Sequence, residues 1–184
     1  MAVRKKADPP KAANGRSRRV AAIVGTATFL ILAPGIVAGY VPWRISHWTL
    51  QPSLLNFAPL RLIGIFLIAA GVAVLLEAFA RFALQGIGTP APVFPTQHLV
   101  IQGSYRFVRN PMYVAVTALI LGQAVSLGDK HLLLYALFPW SAAHLFVVFY
   151  EEPTLRKTFG AEYETYCSHV PRWIPRLTPW RNAA

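Results

Sequence analysis

The chain has 184 residues, of which 55% are hydrophobic and only 14% are charged, and its mean hydropathy is +0.43. The hydrophobic residues are concentrated in long blocks, which excludes an ordinary soluble domain and indicates a membrane protein. The net charge of +11 lies in tails and loops between these blocks, where lipid headgroups explain it better than nucleic acid does. The single cysteine excludes an internal disulfide and a multi-cysteine metal site, and we expect no metal.

The N-terminal part predicts a basic tail followed by two membrane helices. Residues 1–19 combine Lys and Arg with Pro, Gly and Ala, which predicts a disordered tail. Residues 20–84 are assigned to the first two transmembrane helices, Val20–Val41 and Pro59–Leu84, each long enough to span a bilayer. The second helix contains Glu77, which either has a function or forms an ion pair with the arginine four residues further on.

Residues 85–184 are assigned to a third part, which consists of a loop, a helical hairpin and a C-terminal segment. Gly, Pro and Thr predict an extended loop over Gln85–Gln102. Apolar helices at Pro111–Leu127 and His131–Tyr150, joined by a tight turn, predict the hairpin. From Glu151 onward, apolar residues recur at helical spacing and predict an amphipathic helix.

These elements together predict an all-α, polytopic membrane protein with about four transmembrane helices and a cytosolic amphipathic C-terminal helix. Lys and Arg are concentrated in the N-terminal tail, the second loop and the C-terminal tail, whereas the first loop and the hairpin turn contain few. Positive charge marks the cytoplasmic side of a membrane protein. We therefore expect a multi-pass integral membrane protein with both termini in the cytoplasm.

A polar, basic and aromatic stretch, Gly103–Tyr113, precedes the hairpin. Asn110 is predicted to cap the following helix, with Pro111 at its first position. The free N–H groups and the positive dipole end of that helix would attract an anion beside Arg106 and Arg109.

Two carboxylates, Glu151 and Glu152, follow the apolar run at the other end of the hairpin. We expect the helix to end there, where its dipole disfavours carboxylates, so the pair indicates a cation site. The alternative is a charged membrane boundary. The two ends of the hairpin would together suit a ligand that carries a carboxylate, an ammonium and a ribose, as S-adenosylmethionine does.

Several short motifs follow one another in this region. They are Leu99-Val-x-x-Gly-x-Tyr105, Arg109-Asn-Pro-Met-Tyr113, Glu151-Glu152 with Leu155, Phe159-Gly-x-Glu-Tyr-x-x-Tyr166, and Val170-Pro171 with Pro175. In their order and spacing, the stretch from about Gln97 to Pro175 resembles the membrane methyltransferases grouped with isoprenylcysteine carboxyl methyltransferase. That group also includes phospholipid N-methyltransferases.

The resemblance implies S-adenosylmethionine as the cofactor, in a cytosolic pocket closed by the C-terminal segment, and a lipophilic acceptor that enters from the bilayer. It implies cofactor contacts from Gln97, His98, Leu99, Val100, Tyr105, Asn110, Met112, Tyr113 and Glu151. The candidate catalytic residues are Arg106, Arg109 and Glu152.

Two departures from the family pattern leave the acceptor open. The carboxyl methyltransferases commonly have His in place of Asn110, and they have Arg, implied to hold the acceptor carboxylate, in place of Val147. The residues that could replace this clamp are Arg106, Arg109 and Arg156. An amine acceptor would instead need a group to take its proton. The candidates for that role are Glu77, Glu152 and His144.

We therefore expect an isoprenylcysteine carboxyl O-methyltransferase-like enzyme. The alternatives are a phosphatidylethanolamine-type N-methyltransferase and a non-catalytic membrane scaffold that retains the fold. The expected partners are the membrane and a lipophilic substrate. Trp180 lies beyond the resembling stretch, so we expect its replacement to matter little.

Overall fold

The computed structural model describes residues 24–25, 28, 31–85 and 99–181, with the side chains of the first long range given as far as Arg81. Within these ranges the chain is helical and contains no β-strand. The helices are α1 (Val41–Ser46), α2 (Leu60–Gln85), α3 (Pro111–Leu127), α4 (Lys130–Phe146), α5 (Glu152–Phe159) and α6 (Ala161–His169). Two π-helical turns, Ile36–Tyr40 and Val147–Glu151, precede α1 and α5, and two 3-10 turns lie at Leu54–Asn56 and Gly103–Arg106.

The bounds of the two central helices agree closely with those predicted from the sequence. Helix α3 begins and ends at the predicted residues, and α2 is displaced by one residue at each end. Helix α4 begins at Lys130 because Asp129 caps it. The Asp129 carboxylate accepts hydrogen bonds from the backbone N–H groups of His131 and Leu132, at 2.8 and 3.3 Å.

Two helical stretches in the described residues, Leu60–Arg81 and Lys130–Phe159, are long and apolar enough to cross a membrane. The apolar helix Pro111–Leu127 is shorter. The predicted first span, Val20–Val41, lies partly outside the described residues. The described chain is thus all-helical with two candidate membrane spans, and a total of four spans stays a prediction.

Helices α2 and α3 approach each other closely because glycines lie at their contact. A Cβ atom added to Gly122 would lie 2.7 Å from Ile68 Cγ1 and 2.8 Å from the Gly64 carbonyl oxygen, too close for a side chain. The core between α2, α3 and α4 is formed by Leu75, Phe79, Ala115, Leu119, Ile120 and Ala136. The chain before α1 joins this bundle, since the Tyr135 hydroxyl donates to the Val37 carbonyl at 2.8 Å.

The helix that contains Glu151 and Glu152 does not end at Tyr150, so the predicted helix end is wrong. The helix continues through the π-helical turn Val147–Glu151 into α5, and it ends at Phe159. The two carboxylates therefore lie within a long helix, and the argument from an unfavourable dipole end does not apply to them. Single π-helical turns inside α-helices are often found at functional sites.

The predicted single amphipathic C-terminal helix is in fact two short helices, α5 and α6. The helical conformation is interrupted at Gly160, whose backbone angles are φ +51° and ψ −125°. The predicted apolar residues still face one cluster, in which Tyr163 and Tyr166 pack against Val170 and Trp180. Trp180 is only 9% exposed, which argues against the expectation that its replacement matters little, and the effect of that replacement stays a prediction.

Beyond α6, the segment Pro171–Arg181, here called the C-terminal strap, runs beside the stretch that precedes α3. The Arg109 N–H donates to the Pro171 carbonyl at 3.0 Å. Further along, the N–H groups of Arg176 and Trp180 donate to the carbonyls of Phe107 and Arg106, each at 2.9 Å. These bonds hold the strap against the start of the hairpin.

Candidate functional site

Two cavities meet beside the start of α3. The larger has a volume of about 400 Å³ and apolar walls that include Val37, Phe79, Val116 and Phe146. The smaller, about 60 Å³, lies between the chain at Leu99 and the cluster of α5 and α6. Four residues line both cavities: Tyr105, Arg109, Asn110 and Glu151. A polar junction thus connects an apolar cavity with a pocket beneath the C-terminal helices.

The structure brings the predicted cofactor residues together around these cavities. Leu99 and Val100 line the smaller cavity, Met112 and Tyr113 line the larger, and the junction contains the others that are described. Gln97 and His98 lie outside the described residues. The binding of a cofactor by these residues stays a prediction.

Glu151 faces the junction from the π-helical turn that ends α4. The Tyr113 hydroxyl, in the first turn of α3, donates to Glu151 Oε2 at 3.3 Å. The Tyr113 ring meets the Trp173 ring of the strap edge-on, with the ring centroids 6.5 Å apart. The hydrogen bond from Tyr113 thus pairs the Glu151 carboxylate with a neutral donor.

Glu152, the next residue, faces a group of arginines and is 2% exposed. Arg172 donates to both of its carboxylate oxygens, at 2.6 and 2.9 Å. Arg109 and Arg156 also approach it, at 3.1 and 3.5 Å. The hydrogen bond to Glu152 raises the pKa of the Arg172 guanidinium. Glu152 therefore holds the strap and Arg109 in place, with both of its oxygens engaged.

Arg109 lies where the strap, α6 and both cavities come together. Its Nη1 atom lies 2.7 Å from Cys167 Sγ and also makes the contact with Glu152. Its Nε atom is buried and has no hydrogen-bond partner within the described part of the chain. The guanidinium therefore has one N–H group that no described residue accepts.

Asn110 occupies the N-cap position of α3 as predicted, but its side chain does not cap the helix. Its Nδ2 atom instead donates to the Arg172 carbonyl at 3.1 Å. The prediction of a side-chain cap was therefore wrong, because the amide is committed to the strap. Pro111 does take the first helical position.

Tyr105 and Arg106 are fixed by the C-terminal elements. The Tyr166 hydroxyl donates to the Tyr105 carbonyl at 2.6 Å, and burial raises the pKa of both phenols well above the usual range. Both phenols are therefore neutral at physiological pH. Arg106 Nε donates to the Trp180 carbonyl at 2.6 Å, and Arg106 lines neither of the two cavities. A catalytic role for Arg106 stays a prediction.

Sequence reasoning did not identify Arg172 and Trp173 as site residues. Arg172 pairs with Glu152 across twenty residues of chain, and the Trp173 indole N–H donates to His144 Nδ1 at 3.1 Å. Neither pair of residues lies within one helix, so the helical periodicity of the sequence could not predict these contacts. The only signal in the sequence is that both residues directly follow the motif Val170-Pro171.

A family model described as phospholipid methyltransferase matches residues 60–162, more than half of the chain. The matched range begins with α2 and includes the junction of the two cavities and the Glu151-Glu152 pair. It ends before the strap. No match was found among curated proteins.

Proposed function

The chain belongs to the phospholipid methyltransferase family, and from this premise we propose an S-adenosylmethionine-dependent methyltransferase embedded in the membrane. Its acceptor is a lipophilic molecule with a terminal carboxylate, of the isoprenylcysteine type. The observation that carries the choice of acceptor is Arg109, which lines both cavities and whose buried Nε has no hydrogen-bond partner among the described residues.

The charges at the junction suit S-adenosylmethionine. Glu151 offers a carboxylate to an ammonium or to ribose hydroxyls, and the first-turn N–H groups of α3 have no carbonyl of their own helix to bond. When bound, the cofactor supplies an electrophilic methyl group on a sulfonium.

The protein's own contribution is positioning. Arg109 binds the acceptor carboxylate, which is already ionised at neutral pH and needs no base to make it a nucleophile. The apolar walls of the larger cavity hold the hydrocarbon chain of the acceptor. They also exclude water from the junction, which favours transfer between two oriented groups.

The three residues named from the sequence as candidates to take a proton from an amine acceptor are all engaged in other contacts. Glu77 accepts hydrogen bonds from Ser104 and Arg81, and both oxygens of Glu152 are bound by Arg172. His144 Nδ1 accepts from the Trp173 indole. A carboxylate acceptor avoids this difficulty because it has no proton to lose.

The second candidate function is N-methylation of a phosphatidylethanolamine-type headgroup. It is favoured by Glu151, whose Oε2 accepts from a neutral tyrosine and which lines both cavities. A carboxylate in that position can attract an ammonium headgroup. A non-catalytic scaffold is the weakest candidate, because it would not need charged groups gathered at the junction of two cavities.

We propose four membrane-spanning helices, with both termini and the strap on the cytoplasmic side. The support comes from the distribution of Lys and Arg along the sequence and from the two candidate spans. In this arrangement the larger cavity receives the acceptor from the bilayer, and the smaller one lies on the cytoplasmic side.

The test uses membranes that contain the full chain and S-adenosylmethionine with a radiolabelled methyl group. Parallel reactions contain N-acetyl-S-farnesylcysteine or phosphatidylethanolamine. We expect label that base releases as volatile methanol, which shows an ester. Base-stable label on phosphatidylethanolamine would establish the second candidate instead, and a protein that transfers no label to either acceptor would contradict this proposal.

A further inference from the structure

We propose that Glu77 is a positioning residue of the methyl-transfer site. From α2 it fixes the turn Gly103–Arg106 and thereby places Tyr105 where the two cavities meet. The effect of Glu77 on methyl transfer rests on the proposed function. The structural part of the inference, that Glu77 fixes the turn, rests only on the contacts of α2.

Glu77 binds the turn directly. Its Oε2 atom accepts hydrogen bonds from the Ser104 backbone N–H at 3.2 Å and from the Ser104 hydroxyl at 2.7 Å. Its Oε1 atom accepts from Arg81 Nε at 2.8 Å, and Arg81 Nη1 donates to Gln102 Oε1 at 3.3 Å. The ion pair on α2 thus contacts the chain on both sides of Gly103.

Gly103 is the residue that permits this close approach. Its φ is +57°, in the left-handed region that favours glycine. A Cβ atom there would overlap Glu77 Oε1 and lie 3.0 Å from Arg81 Nε. The carboxylate can therefore reach the backbone of the turn only because position 103 has no side chain.

The turn carries Tyr105 into the site. Tyr105 is 8% exposed, lines both cavities and accepts the Tyr166 hydroxyl at its carbonyl. Glu77 on α2 therefore holds the residue before Tyr105, and Tyr166 on α6 holds Tyr105 itself. A shift of the turn would move a wall that the two cavities share.

A simple ion pair on the surface of α2 does not account for these contacts. The Glu77 and Arg81 side chains are 34% and 38% exposed, and pairs exposed to that degree contribute little to stability. Such a pair would not need to contact Ser104. The contribution of Glu77 therefore lies in the bonds that it accepts from the turn.

The kinetic test compares Glu77→Gln and Ser104→Ala with the control Glu164→Gln. Glu164 accepts from an arginine Nε at the same 2.8 Å but does not contact the turn. We expect the KM for S-adenosylmethionine to rise roughly threefold or more in the first two variants, with an unchanged fraction of folded enzyme. An unchanged KM in both variants, with activity lost only in proportion to folded protein, would overturn the inference.

A second measurement does not depend on catalysis. Hydrogen–deuterium exchange of residues 103–108 should be faster in Glu77→Gln than in the wild type, and unchanged in Glu164→Gln. If the wild type transfers no methyl group while this exchange increases, the proposed function fails and the structural part of the inference stands. Equal protection of the turn in the wild type and Glu77→Gln would overturn it.

Discussion

Arg109 is the residue on which the choice of acceptor depends. Arg106 and Arg156, the other candidates for the missing clamp, line neither of the two cavities, whereas Arg109 lines both. Arg106 binds the strap carbonyl of Trp180, and Arg156 pairs with Glu152 and Glu164. We therefore propose Arg109, rather than Arg106 or Arg156, as the clamp for a carboxylate acceptor.

Replacement of Arg109 by Gln should raise the KM for a carboxylate acceptor by about tenfold, because a charge-assisted hydrogen bond to the acceptor is lost. The matched control is Arg156→Gln, which also removes an arginine beside Glu152 but changes neither cavity. Initial rates at varied acceptor concentration measure the difference. Equal KM values for the two variants would show that Arg109 does not bind the acceptor.

Glu151 should be essential for activity. Glu151→Gln keeps the shape of the side chain but removes the charge, and we expect kcat/KM to fall by about tenfold or more while membrane insertion is retained. Tyr113→Phe removes only the neutral donor to Glu151 and should cost less, about two- to tenfold. The opposite order of these losses would place the important interaction at Tyr113.

The sequence indicated several residues that the structure brings together around the two cavities, but it did not reveal how they are held. Tyr105, Asn110 and Tyr113 belong to one short motif, so they could be expected to lie together once α3 was placed. The contact between Glu152 and Arg172 depends on the path of the strap, which has no periodic pattern. From the sequence alone Glu152 is a candidate proton acceptor, whereas in the structure both of its oxygens bind Arg172.

The break at Gly160 is the most testable feature among the helices. Gly160 and Gly39 both have open space where a Cβ atom would lie, but only Gly160 has a positive φ. Gly160→Ala should therefore lower the free energy of unfolding by about 1–3 kcal/mol through backbone strain alone. Gly39→Ala, the control, should have little effect or a slight stabilising one.

Thermal unfolding of the detergent-solubilised protein, followed by tryptophan fluorescence, measures this difference. Trp180 packs against Tyr166 of α6 and Trp173 against Trp140 of α4, so part of the signal comes from the strap. Similar unfolding temperatures for the two variants would mean that the break between α5 and α6 does not require glycine.

The helices themselves were easier to predict than the breaks within them. Long apolar runs and the turn before Lys130 defined α2, α3 and the start of α4 to within one residue. The charges of Glu151 and Glu152 were mistaken for a helix end, because a carboxylate after an apolar run usually marks the point at which the chain leaves the membrane. The arginines that compensate Glu152 explain why the helix continues through this point.

For the molecule as a whole, the proposed topology places Phe57 and Arg181 on opposite sides of the membrane. Each is replaced by cysteine in a Cys167→Ser background, where serine retains a hydrogen-bond acceptor for Arg109. A membrane-impermeant maleimide added outside intact cells should label position 57 and not position 181, which should react only after permeabilisation. Labelling of both positions from the same side would contradict four spans.

The packing also divides the described part of the molecule into two regions. Helices α2 and α3 form a close-packed pair around glycines, and the C-terminal helices with the strap form a second cluster around Tyr166. The two cavities meet where these regions join. The family match includes the first region and α5 and ends at the start of α6, before the strap.

Calorimetric titration of the solubilised protein with S-adenosylhomocysteine tests the central claim most directly. We predict saturable binding at one site per chain for the wild type and for the exposed-residue control Glu164→Gln. We predict an affinity at least about tenfold weaker for Glu151→Gln. An absence of heat with folded wild-type protein, or equal affinities for the wild type and Glu151→Gln, would contradict a cofactor site at the junction of the two cavities.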